Sequence, residues 1–207
     1  MARRVGFDLL LVAVAGLLIS AVPPASAQGN PLKQIAPDEA LLDGDEAGRV
    51  LQRIEAGYIN NKLYVEGWLF DNAQMYYRKL SGRLFFTRAS FSEDRTLERY
   101  CGENSERCSD VQLKQYSKRF ISVVYRNPDG SVCAGLDYVS EDGRGAGRAA
   151  RIFGNYMVSL EHCRHSGSDP EQVLAQGVEY LAAAKKDGRS IAKLSGYDLP
   201  KLTEPSQ

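Results

Sequence analysis

The sequence predicts an α+β fold: a small, mostly antiparallel sheet centred on a hairpin over residues 120–139, helices packed on it, and two disulfides bracing it. Three observations carry that prediction. Residues 120–139 form two β-favouring arms around Asn127-Pro128-Asp129-Gly130. The segment from Asp169 onward has the marks of a capped amphipathic helix, and the chain holds four cysteines, an even number.

The hairpin is specified by alternation and by its turn. Ile121, Val123 and Tyr125 alternate on one arm, and Val132, Ala134, Leu136 and Tyr138 on the other, so each arm has an apolar side. Pro128 presets φ for the second position of a type I turn. Asn127 and Asp129 bond back to nearby backbone, and Gly130 tolerates φ > 0.

At the front, Met1-Ala2-Arg3-Arg4 is a basic start and residues 9–22 are apolar apart from Ser20. Pro23-Pro24 breaks the run, and Ala25-Ser26-Ala27 supplies small residues before Gln28. This is the pattern of a cleaved secretory signal over residues 1–27. The apolar run is shorter than the roughly 20 residues a spanning helix needs, so no membrane span is expected after cleavage. The sequence therefore predicts an exported protein, periplasmic or secreted. Arg3, Arg4 and Asp8 leave with the signal, turning 26 basic and 26 acidic residues into 24 and 25. A near-neutral surface gives no support for a polyanion partner, and no nucleic acid is expected. Residues 28–36 read as a flexible leader, 37–189 as one domain and 190–207 as a C-terminal tail.

Within the domain, residues 38–56 carry helical spacing in two pieces, Leu41 with Leu42 and then Val50, Leu51 and Ile54. Asp43, Asp45 and Glu46 suit a helix N-terminus better than a calcium loop, whose remaining ligands are missing. Aromatic residues then concentrate: Tyr64, Trp68, Phe70, Tyr76, Tyr77, Phe85, Phe86 and Phe91. With no basic groove beside them they read as core, not as a stacking platform. Over residues 73–91 helix and strand compete; Met75, Tyr76, Leu80 and Leu84 favour a helix to Gly82, then a strand. Ser92 before Glu93 and Asp94 predicts a capped helix to Tyr100, and Asp110 a second one through Val111, Leu113 and Tyr116. Tyr156, Val158 and Leu160 alternate within 152–163, which reads as a strand. In the last helix Asp169 caps, Pro170 takes the first position, and Val173, Leu174, Val178, Leu181 and Ala182 form the apolar face. Lys185 and Lys186 precede its stop at Gly188.

Four cysteines in an oxidising compartment allow three pairings. The favoured one joins Cys101 to Cys108, closing a polar loop, and Cys133 to Cys163, tying the hairpin's return arm to the next strand. On the chain-entropy model these stabilise by about 2.5 and about 3.7 kcal/mol. The alternative is chemical, because His162-Cys163-Arg164-His165 packs three possible ligands into four residues. Zinc sites usually assemble two spaced pairs, and there is no further histidine and no Cys-x-x-Cys. A nucleophilic Cys163 with a histidine partner requires a free thiol. Between residues 141 and 151, alternate glycines accompany Arg144, Arg148 and Arg151, the candidate anion-binding residues of a backbone nest. Glu93 and Asp94 suit glycoside hydrolysis only if the fold sets two carboxylates at a working separation. No nucleophile elbow, metalloprotease helix or dinucleotide loop is present, and no cofactor or metal is expected. The sequence thus favours a non-catalytic envelope accessory or binding module for an unknown small-molecule or protein partner. A small secreted hydrolase or metal-binding protein using His162 and His165 is the alternative.

Overall fold

A computed structural model describes residues 32–44, 51–82, 84, 86–87, 90–117, 119–140, 152–187 and 189–191. In chain order the first strands are β1 (Lys33–Ile35), β2 (Asp43–Gly44), β3 (Leu51–Ile59), β4 (Leu63–Phe70), β5 (Ala73–Leu80) and β6 (Phe86–Thr87). After helix α1 (Glu93–Cys101) come β7 (Ser109–Ser117), β8 (Phe120–Arg126), β9 (Val132–Val139), β10 (Ile152–Gly154) and β11 (Tyr156–Arg164). Helix α2 (Pro170–Ala183), β12 (Ala184–Lys186) and β13 (Arg189–Ser190) follow.

Eight strands build one antiparallel sheet in the order β1-β3-β4-β5-β11-β9-β8-β7. It consists of two meanders, β3–β4–β5 and β7–β8–β9, joined by β11 between β5 and β9, with β1 added on the outer side of β3. The expected small sheet under packed helices is therefore wrong. The protein is mostly β, with two α-helices among the described residues.

Three segments expected as helices are strands, and each error has a physical cause. In β3, Leu51 and Ile54 mimic a helical stripe by standing three apart, yet Ile54 and Ala56 are the buried pair. In β5 burial alternates, with Ala73, Met75 and Tyr77 inward, and pairing to both β4 and β11 overrides the helical spacing. In β7, Asp110 does not cap a helix; its φ is 52°, inside a register shift between Ser109 and Gln112. A second shift lies between Gln115 and Ser117, so this outer strand presents an irregular edge that carries Lys114.

The elements with explicit local chemistry form as expected. The 127–130 turn closes with Gly130 N–H donating to the Asn127 carbonyl at 2.9 Å, and Gly130 has φ 85°. Asp129 Oδ1 accepts from both the Ser131 N–H and its hydroxyl, which holds the Asp129 carboxyl below its usual range. Ser92 Oγ accepts from Arg95 N–H to cap α1, and Asp169 Oδ1 accepts from Glu171 N–H to cap α2. Helix α2 stops at Ala183, before the two lysines, because Ala184–Lys186 pairs with β2 and β13.

The helices cover opposite faces of the sheet. Val178 and Leu181 of α2 pack with Leu136 and Leu160, and the same core runs on through Tyr77, Trp68 and Ile54. On the other face Leu97, Tyr100 and Cys101 of α1 meet Val123, Tyr125 and Cys133. Strand β9 is buried at every position because both faces are covered. Lys33–Ile35, at the end of the leader, pairs with β3, and Ile191, at the start of the tail, is fully buried. Among the described residues no helix is long and apolar enough to cross a membrane.

Candidate functional site

The cysteines pair as the sequence favours, Cys101 with Cys108 and Cys133 with Cys163, and none is free. Cys133 and Cys163 stand directly opposite each other on β9 and β11. Bridged, Cys163 is not a nucleophile. His162 and Cys163 point to opposite faces, and His162 is 2 % exposed while His165 lies on the surface. The His162 ring is held between sheet and helix: Nδ1 lies 3.0 Å from the Asn72 carbonyl and Nε2 3.1 Å from Gln176 Oε1 of α2. Its ring also packs on Tyr180, with centroids 5.3 Å apart. Among the described residues no group of three or more His, Cys, Asp and Glu side chains is arranged to hold a metal ion. Glu93 and Asp94 are exposed on the first turn of α1. Arg144, Arg148 and Arg151 lie outside the described residues.

The structure instead assembles a polar layer on the α1 face, built by cross-strand register. Ser159 of β11 lies opposite Tyr76 of β5 on one side and Asp137 of β9 on the other. Glu161, two residues on, faces Gln74 and Gly135. A Cβ on Gly135 would sit 2.5 Å from the Tyr100 ring, so only glycine there lets α1 lay that ring against the sheet.

Asp137 is fully buried and satisfied three times. It pairs with Arg99, accepts from Thr96 Oγ1 at 2.8 Å, and lies 3.0 Å from the Tyr100 hydroxyl. That hydroxyl also lies 3.0 Å from the Leu136 carbonyl and 3.1 Å from that of Leu160. Burial pushes Tyr100 up to about 12 against the opposing pull of Arg99 and Arg78. Glu161 accepts from Tyr125 and from Gln74, whose Oε1 in turn accepts from the Tyr76 hydroxyl at 3.2 Å. Burial, then the Glu161 charge, drives the Tyr125 hydroxyl far above its ordinary range. Neither phenol is suited to act as a base near neutrality. Arg78 donates from Nη1 to Ser159 Oγ at 2.8 Å, and its guanidinium lies 5.3 Å from the Tyr76 ring centre. Burial lowers the proton affinity of Arg78 and of Arg99, and repulsion by Arg78 adds to the lowering at Arg99.

Where Gln74 and Glu161 reach the end of the sheet, they border a depression of about 310 Å³ with Leu69, Asp71, Asn72 and Cys163. The sequence reading missed this layer. One signal was available: Asp137 is the sole charged residue in the apolar return arm of the hairpin. Gln74, Tyr76 and Arg78 gave none, because alternation on an unrecognised strand looks like ordinary surface. Comparison with family models, curated proteins and solved structures finds no match to this chain.

Proposed function

We propose that this is an exported, non-catalytic binding module. The observation that carries the reading is that, among the described residues, the buried groups able to do chemistry are held by structural partners. The four sulfurs are bridged, His162 is held between Asn72 and Gln176, and Asp137 is saturated by Arg99, Thr96 and Tyr100. A general base needs a lone pair facing a substrate, and His162 and Asp137 are turned into these internal contacts. Export is supported by the two disulfides, which persist in oxidising compartments, together with the signal pattern of residues 1–27.

Expression of the full chain in a bacterial host, followed by fractionation and a substrate panel, tests the reading. The processed chain should reach the exported fraction with both bridges formed and turn over no ester, glycoside or peptide substrate. Turnover that Asp137→Asn or Glu161→Gln abolishes in a folded protein would make the protein an enzyme. Retention in the cytosol with free thiols would remove the export half.

A further inference from the structure

We infer that the Cys133–Cys163 bridge is a modification site, at which a small thiol enters the depression at the end of the sheet and becomes disulfide-bonded to Cys163. Such a modification stands apart from the binding-module reading and does not depend on it. Thiol–disulfide exchange is an in-line displacement, in which the incoming thiolate approaches one sulfur from the side opposite the other. Access behind each sulfur therefore decides which one is attacked.

The sheet closes one approach and leaves the other open. The bridge spans from β9 to β11, where its two residues stand directly opposite each other. Behind the fully buried Cys133 lies β8, whose Tyr125 is paired with Cys133, is itself buried, and shares one apolar cluster with Cys133, Val123 and Cys101. Behind Cys163 the β5 pairing has ended at His162 and Ala73, and the Cys163 N–H donates to the Asn72 carbonyl of the β4–β5 turn. There the half-buried Cys163 lines the depression of about 310 Å³. It stands on the same face of the sheet as Leu69, Gln74 and Glu161, which line the depression with it.

The leaving sulfur has a donor in place. Asn127 Nδ2 donates to Cys133 Sγ at 3.2 Å, and this bond strengthens as negative charge develops on the sulfur. The external thiolate forms a bond to Cys163 Sγ, the Sγ–Sγ bond breaks, and its electron pair stays on Cys133, which then takes a proton from water. The incoming sulfur is oxidised to the disulfide level as Cys133 is reduced, so the step balances with the thiol as its only co-reactant. The charged residues lining the depression, Asp71 and Glu161, are both acidic. On the same face Arg53 is paired with Glu55, Arg99 with Asp137, and Arg78 is bonded to Ser159 farther along β5. A thiol carrying an ammonium group is therefore preferred over one carrying an anion.

The test treats the folded full chain, both bridges formed, with excess cysteamine, traps released thiols with iodoacetamide at early times and maps the peptides. Cysteamine should be found on Cys163 and the carbamidomethyl group on Cys133. In denaturant, where the sheet no longer shields either sulfur, both labels should be shared between the two positions. 2-Mercaptoethanesulfonate at equal thiolate concentration should react about tenfold more slowly. Asn127→Asp suits the same turn position but removes the donor, so exchange should slow about tenfold with the same map. Cysteamine on Cys133, exchange at Cys101–Cys108 alone, no adduct in the folded chain, or an adduct that forms only at the rate of global unfolding each overturns the site. Equal rates for the two thiols overturn the ammonium preference, and an unslowed Asn127→Asp overturns the part given to Asn127. The map on the native chain needs no variant, so the site is decided even if Asn127→Asp fails to fold.

Discussion

Glu66 is a fully buried carboxylate with no cation beside it among the described residues, held instead by four donors. They are the backbone N–H groups of Leu41 and Leu42, the Tyr64 hydroxyl at 2.9 Å and the Trp68 indole N–H at 3.3 Å. Hydrogen bonds to an ionised acceptor are strong enough to hold such a group in the core. They also seat Leu42, itself fully buried, so one side chain straps residues 41 and 42 to the sheet. Glu66→Gln retains the shape but turns an amide N–H₂ toward other donors. It should cost about 2 kcal/mol, read as a lower urea midpoint at unchanged slope. An unchanged midpoint would show that the strap does not hang on this carboxylate. Gly135→Ala is the second test, since the new methyl meets the Tyr100 ring on a strand fixed from both sides. The expected loss is about 2 kcal/mol, falling toward zero in a Tyr100→Ala background when both are compared by chemical denaturation. At this scale Asp137 was legible because a lone acid in an apolar arm demands a partner. Glu66 was not, since two of its four donors are backbone N–H groups of residues 41 and 42, far away along the chain.

The elements that could be read from sequence are those whose chemistry is local. Ser92 and Asp169 cap their helices through bonds to residues two or three positions ahead, and the 127–130 turn satisfies itself. Strands β3, β5 and β7 were misread because a strand is fixed by its neighbours, and the neighbours of β5 are β4 and the distant β11. The fold class failed for that reason: a sheet built by long-range pairing looked like a set of short helices. The disulfides were legible, since a signal pattern and an even number constrain cysteines without any knowledge of the sheet. Their separations in sequence, 7 and 30 residues, set a second expectation at this scale. Replacing Cys133 and Cys163 together by serine should cost about 3.7 kcal/mol, and replacing Cys101 and Cys108 about 2.5 kcal/mol. Denaturant unfolding of the two double variants checks the order; the reverse order would mean that chain entropy does not dominate.

At the scale of the whole molecule, buried phenols set the alkaline limit. Tyr64, Tyr100 and Tyr125 are all raised, foremost by burial and further by Glu66 at Tyr64 and Glu161 at Tyr125. A phenol held neutral by the fold gives up its proton more easily once unfolded. The stability it contributes is complete below about pH 10 and is lost as pH climbs through the folded values. Spectrophotometric titration should therefore show at least three of the 11 tyrosines ionising late and together with loss of structure. Independent ionisation of all of them near pH 10, with the fold intact, would contradict it. The order of the sheet has a further consequence. Strand β11 is the last of the eight to be made, and it alone joins the two meanders. A chain threaded N-terminus first carries both halves unjoined until residues 156–164 emerge, and Cys133 waits throughout for Cys163. Assembly is thus deferred to a single late keystone, and a chain cut short of it is left as two separate ribbons with a reactive sulfur between them.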